Sequence, residues 1–307
     1  MRRYGGERRV QHSSLASRDA QLVTMEPVYF VHLSDTHFGP TEGYSRAGFR
    51  AMPYAEHVIE MINALPTPPD FVIHTGDVTT HPTEAAYRLA AKTFEALKFP
   101  IYYCTGNHDT SADIHRYMAM GPKVDCQPGT DTLSYAFEVR GYRFLVLDAR
   151  GPDPIDPHGL LSPQQLEVLR RETKPAGPPL CIFTHYPAVR LNSPWMDANM
   201  PIFNGEEMHQ SLLPARERIR GVFYGHIHNS TQTFRDGILY CAAASTFAGF
   251  TTWPTEEMIK PDYEAMPAFN FVQLLPEQTI IQQRPFGRLD GEPVRRTPWL
   301  ESESLED

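Results

Sequence analysis

The sequence predicts an α/β fold with a covered sheet, on three observations. Short apolar runs recur along the chain, and each ends in a polar loop. Segments with helical spacing separate the first of these runs, the arrangement expected of strands joined by crossover helices. A further series of short strand-like runs closes the chain, as a second sheet packed on the first requires.

The size and charge agree with this class. The chain has 307 residues, 41% hydrophobic and 21% charged, and a net charge of −9 from 28 Lys+Arg and 37 Asp+Glu. That composition reads as a soluble globular protein of enzyme size, not a fibrous or disordered one. Acidic balance disfavours a dominant nucleic-acid surface, although a local metal cluster still allows a phosphate ligand. Cys104, Cys126, Cys181 and Cys241 form no CxxC pair, and three of them lie in apolar runs, so buried small side chains are expected. No run approaches the ~20 apolar residues of a membrane span.

In chain order, residues 1–24 are basic and polar with no apolar signal core, and are expected to be a disordered arm, or an upstream extension if translation begins at Met25. A cytoplasmic protein is expected. One domain is expected over 25–288, followed by a loose polar tail at 289–307. VYFVHL at 28–33 is a strand ending in SDTHFG. Residues 51–65 carry Met52, Ala55, Val58, Ile59, Ile62 and Leu65 on a helical period before Pro66 stops them. PDFVIHTGD is the next strand and turn. A helix is expected over 83–97, with Ala85, Leu89, Phe94 and Leu97 in the core. FPIYYCTGNHD repeats the strand-to-loop pattern. LSYAFEV and YRFLVLDA form a hairpin about Arg140 and Gly141. After the Pro-rich loop at 151–159, Ser162 and Pro163 open a helix over 162–172. PPLCIFTHYP and RGVFYGHIH are two more strands with polar ends, and TQTFRDGILYCAAAS, FNFVQLL and TIIQQRP supply the closing strands.

The polar loops concentrate one kind of chemistry. Asp35 and His37, Asp77, Asn107 with His108 and Asp109, His185, and His226 with His228 all follow apolar runs directly. Each has an ordinary reading by itself: Asp77 as a cap, Asn107 as a turn residue, His185 as a loop histidine. Together, at five successive strand ends, they need polar partners that packing does not provide, and metal binding provides them. Carboxylate and imidazole without thiolate suit Mn, Fe, Zn, Co or Ni rather than calcium or an all-oxygen magnesium site. Asp35, His37, Asp77, Asn107, His185, His226 and His228 are seven candidates, too many for one ion with an open position, and a shared carboxylate would let them hold two. In an extended strand Asp35 and His37 face one side, as do His226 and His228, so each pair could act as a small clamp.

The ordered series DTHFG, GDV, GNHD, THYP and GHIH resembles the calcineurin-like metallophosphoesterase superfamily over residues 28 to about 250. The resemblance implies a four-layer α/β/β/α sandwich with the site at one edge of its two sheets. It implies that Asp35, His37, Asp77 and His228 hold one metal and Asp77, Asn107, His185 and His226 the other. Asp77 and a hydroxide would then bridge two divalent or mixed-valence ions, Mn or Fe by preference, with Zn or Co as alternatives. His108, together with Asn107, would contact the phosphate; His108 would protonate the leaving alcohol, and Asp109 would orient it. The absence of a GK[ST] phosphate loop favours hydrolysis over transfer.

Within the superfamily the sequence is similar to the bacterial class III cyclic-nucleotide phosphodiesterase and glycerophosphodiesterase group, which implies a small phosphodiester substrate and a homodimer. It departs from purple acid phosphatases, since Thr80 stands where they carry a tyrosine ligand. A phosphomonoesterase or nucleotide phosphatase is the nearer alternative, and a noncatalytic metal-dependent scaffold the more distant one. Segment 187–210, with Trp195, Met196 and Phe203, is expected as a loop that roofs the site, plugs it or meets a second copy. Arg46, Arg50 and Tyr44 are expected as solvent-facing side chains. His57, His74, His81, His115, His158 and His209 are left outside the site.

Overall fold

The computed structural model describes residues 25–46, 48–150, 157–262, 264–287 and 289. The expected arm at 1–24 and all of the expected tail except Leu289 lie outside the described residues, as do six residues of the Pro-rich loop.

The chain begins with β1 (Val28–Leu33), α1 (Ala51–Asn63), β2 (Phe71–His74), α2 (Glu84–Phe94), β3 (Ile101–Tyr103) and α3 (Ser111–Tyr117). It continues through β4 (Val124–Asp125), β5 (Tyr135–Val139), β6 (Tyr142–Val146), α4 (Pro163–Glu172), β7 (Leu180–Phe183), α5 (Pro194–Asn199), α6 (Gly205–Leu212) and β8 (Ile219–Tyr224). It ends with β9 (Gln232–Arg235), β10 (Ile238–Ala242), the short pair β11 (Gly249–Phe250) and β12 (Pro261–Asp262), then β13 (Ala268–Leu274) and β14 (Thr279–Pro285).

The strands form two mixed sheets, one in the order β14-β13-β1-β2-β3 and the other in the order β4-β5-β6-β7-β8-β10-β9. β1, β2 and β3 run parallel, as do β6, β7, β8 and β10, so the carboxyl ends of each parallel set open on one edge. Alternation along the strands makes the layers. On β6 and β7, Phe144, Val146, Cys181 and Phe183 pack in the same core as Phe30 and Phe71 of the first sheet, while Leu145 and Ile182 face Leu166, Leu169, Met208 and Leu212 of α4 and α6. Phe30 meets Phe144, Phe183 and Phe223 edge-on at 5.3–6.2 Å between ring centroids, which locks one sheet on the other. On the far side of the first sheet, α1 buries Tyr54, Ala55, Val58, Ile59 and Ile62. The architecture is therefore the expected α/β/β/α sandwich.

Local signals explain most of the helices. Thr83 and Thr110 cap α2 and α3 through their side chains, and Ser162 with Gln165 closes a reciprocal capping box on α4 ahead of Pro163. Two expectations need correction. The buried stripe of α2 is Ala86, Tyr87, Ala90, Thr93 and Phe94, with Ala85 exposed and Leu89 and Leu97 at its margins. The helix is turned so that the Tyr87 hydroxyl reaches Asp109 at 3.2 Å and takes the Thr110 amide at 2.9 Å. Segment 187–210 is not an open loop but contains α5 and the start of α6, whose Met196, Met200 and Met208 are buried against the second sheet. Cys104, Cys181 and Cys241 are buried and all four thiols are free.

Candidate metal centre

The seven candidate ligands come from both sheets and meet on the shared edge. Asp35 and His37 follow β1, Asp77 follows β2, Asn107 follows β3, His185 follows β7, and His226 and His228 follow β8. The strand-clamp expectation is replaced by a different backbone. Asp35, His37, Asp77, His226 and His228 all have φ between 48° and 71°, so five of the seven leave the strand in the left-handed region. Such conformations cost on the order of 1–3 kcal/mol each and persist where the surroundings fix them. Here amides provide the fixing: Asp35 N donates to Gly76 O and His37 N to Asp77 O, each at 3.0 Å, and Gly225 N donates to His185 O at 3.0 Å.

Close approach of the loops depends on glycine. A Cβ on Gly106 would overlap the Asp77 carboxylate and backbone, and one on Gly225 would overlap Ser34 Oγ and crowd Asp35. The residue before Asn107 and the residue before His226 therefore have no room for a side chain.

Two groups of buried side chains result. Asp35, His37, Asp77 and His228 each present a donor atom within 4.8 Å of the others, and Asp77, His185 and His226 do the same. Asp77 belongs to both, so the cluster is a dinuclear metal-binding site. Within it, His37 Nε2 lies 3.5 Å and His185 Nε2 3.4 Å from Asp77 Oδ2, and His228 Nε2 lies 3.4 Å from Asp35 Oδ1. Asn107 Oδ1 is 3.2 Å from His185 Nε2.

Second contacts aim the rings. A carbonyl only accepts, so His185 Nδ1 donates to Thr75 O at 2.7 Å and His228 Nδ1 donates to Ala248 O at 3.1 Å. Each bond fixes its ring with Nε2 toward the cluster, the arrangement that orients metal-binding histidines. His226 Nε2 is buried with no hydrogen-bond partner, and His37 Nε2 points at His228 Nε2 across 3.0 Å. A buried donor atom left without a partner is costly in an apolar core and is what an ion would satisfy. The residues fit the group they were expected to hold.

The electrostatics fit as well. Burial alone would raise the Asp77 carboxyl, but His185 and His108 outweigh it and hold Asp77 well below the usual carboxylate range. Asp35 is lowered in the same way, against burial, by His228. Burial, then the neighbouring His185, keeps His226 far below the ordinary imidazole value. Both carboxylates are thus ionised and His226 neutral, which are the ligating forms, whereas Asp77 outweighs burial and raises His185 to about 9, so that this ring gives up a proton when it ligates.

His108 lies beside this cluster, half-buried, with its ring 5.0 Å from that of His37. Its amide donates to Asp77 Oδ1 at 2.9 Å, and its Nδ1 donates to Thr80 O at 2.8 Å. The orienting bond thus comes from Thr80, where Asp109 was expected to supply it. The Asp109 carboxylate instead accepts from Val78 N, Thr79 N and Gly106 N at 3.0–3.1 Å, tying the second and third loops together. Burial, then Asp77, pushes its carboxyl up to about 6.

Other residues joined the site without a clear sequence signal. Ser245 Oγ donates to Asp35 O at 2.9 Å, and Phe247 and Phe250 pack on the His228 ring. Only the small-residue run after β10 hints at such a close approach. His74, left outside the site, lies under it and bonds Thr36 Oγ1 at 3.0 Å. Arg46, expected in solvent, lies with its Nη1 2.8 Å from His37 Nδ1. No described helix is long and apolar enough to cross a membrane.

Comparison with known proteins agrees with this geometry. The model of the calcineurin-like phosphoesterase family matches residues 28–230. The chain is 27% identical to a 3′,5′-cyclic adenosine monophosphate phosphodiesterase of Pseudomonas aeruginosa, over 78% of this chain and 82% of that protein. It is 30% identical to a probable glycerophosphodiester phosphodiesterase of Arcobacter nitrofigilis, over 70% of this chain and 77% of the relative. Among solved structures it is similar in fold to a dimetal phosphatase from Danio rerio, with a TM-score of 0.57, 14% identity, and coverage of 83% of this chain and 99% of the other.

Proposed function

Because the chain belongs to the calcineurin-like phosphoesterase family, we propose that its cluster is the active site of a phosphodiesterase for small diesters, 3′,5′-cyclic nucleotides or glycerophosphodiesters. The observation that carries this reading is the pair of buried donor groups sharing Asp77, with His108 held beside them. Preference for diesters is supported by the names of the two curated relatives, one acting on a cyclic nucleotide and the other on glycerophosphodiesters.

In this reading Asp35, His37, Asp77 and His228 hold one ion, and Asp77, Asn107, His185 and His226 the other, with Asp77 common to both. When bound, such a pair supplies an activated water at neutral pH and positive charge for the phosphoryl oxygens. The nitrogen and oxygen donors suit Mn or Fe, with Zn and Co as the ions to compare. The His185 and His228 rings are oriented for ligation by their Nδ1 bonds to Thr75 O and Ala248 O. With Nδ1 committed to Thr80 O, His108 turns Nε2 toward the reacting group and, when protonated, gives the departing alcohol its proton. Asp109 is a positioning residue that acts through the two loops it ties.

The test is turnover of bis(p-nitrophenyl) phosphate against p-nitrophenyl phosphate by protein loaded separately with Mn, Fe, Zn or Co. A metal-dependent preference for the diester is expected. Preference for the monoester would make the chain a phosphatase instead, and two tightly held ions with no turnover of either ester would leave a metal-dependent scaffold.

A further inference from the structure

We propose that Arg46 is a substrate-binding residue whose guanidinium grips a nonbridging oxygen of the phosphoryl group. The inference rests on the phosphoester reading of the same site. Its observation is the placement of one guanidinium against two imidazoles of the centre: Nη1 is 2.8 Å from His37 Nδ1, and Nη2 is 3.5 Å from His108 Nε2.

His108 Nε2 is the nitrogen that faces the reacting group, because Nδ1 is committed to Thr80 O. A cation 3.5 Å from that nitrogen faces the same space. Guanidinium also presents its N–H groups in a planar fork that matches two phosphoryl oxygens, which an ammonium cannot do.

The backbone keeps the Arg46 side chain at the centre. Arg46 and Phe49 exchange amide-to-carbonyl bonds at 2.9 Å in both directions. Phe49 packs edge-on against Phe247 at 6.2 Å, and Phe247 packs against both the His37 and His228 rings. The loop bearing Arg46 is therefore fastened to the wall that backs the first ligand group.

The experiment uses the full chain loaded with Mn, and reads inorganic phosphate binding by calorimetry together with bound Mn per chain, for wild type, Arg46→Gln and Arg46→Lys. Loss of a charge-assisted bond should weaken phosphate binding about 10- to 100-fold in Arg46→Gln and less in Arg46→Lys, with both ions retained. The diester KM should rise more than kcat falls. Phosphate affinity within twofold of wild type would overturn the assignment, and so would a loss that only follows lost Mn, which would make Arg46 a support for His37. The binding readout does not need turnover, so a wild type that binds phosphate through Arg46 yet hydrolyses neither ester would fail the phosphodiesterase reading alone.

Discussion

His108 and Asp77 divide the chemistry between a proton and a pair of ions, and the difference is measurable at single residues. Removing the His108 ring takes a proton donor from the leaving alcohol while sparing the buried donor groups. His108→Asn should therefore slow diesters of poor alcohol leaving groups by about 100-fold or more and activated aryl esters much less. Equal losses on both would remove the acid role; a leaving-group series measures it. Buried histidines under the site predict a second effect, on stability. Burial pulls His32 and His74 from 6.5 down to about 3, so both are neutral in the fold at neutral pH. The unfolded chain takes up their protons below about pH 6.5 and the folded chain does not, so stability is full above that pH and declines toward pH 3. Each contributes a slope of at most ~1.4 kcal/mol per pH unit. Urea unfolding between pH 7 and 4.5 should show a shallower decline in His74→Gln than in wild type, and parallel curves would contradict the assignment.

At the scale of elements, the loops after β1, β2, β3, β7 and β8 do what their strands cannot. The types of these residues and their order were legible in the sequence, because an apolar run ending in Asp, Asn or His is visible without a structure. Their backbone was not legible, since a left-handed turn at Asp35 or His37 is fixed by bonds to the Gly76 and Asp77 carbonyls, which are distant in sequence. The role of Arg46 was hidden for the same reason: its partner His37 is nine residues away across a turn that spacing alone does not close. Ser162 and Pro163 made α4 legible, while α3, α5 and α6 were not expected although Thr110, Ser193 and Asn204 precede them, because such short helices carry too little apolar period to register. Packing between loops gives a sharp expectation at Gly106. Gly106→Ala forces the third loop off Asp77 and should lower metal affinity at least tenfold, whereas a surface change such as Gly129→Ala, in open space though at positive φ, should leave it unaltered. Equilibrium dialysis of the two variants distinguishes these outcomes.

The whole molecule is organised so that two sheets finish their parallel strands at one edge. Aromatic contacts between Phe30, Phe144, Phe183 and Phe223 set the sheets face to face. Bonds at the edge then couple them directly: His185 from the second sheet donates to Thr75 O of the first, and His226 N donates to the Asp35 carboxylate at 3.1 Å. Ions held there would cross-link both halves of the sandwich, and Asp77 is the point where the two donor groups meet. The measurement that bears most directly on this account is bound metal per chain, with affinities, for wild type and Asp77→Ala at matched folded content. Two ions in the wild type and loss of both at wild-type affinity in Asp77→Ala is the predicted result. Two ions still held by Asp77→Ala as tightly as by the wild type, or a wild type that takes up only one, would contradict a centre built on a shared carboxylate.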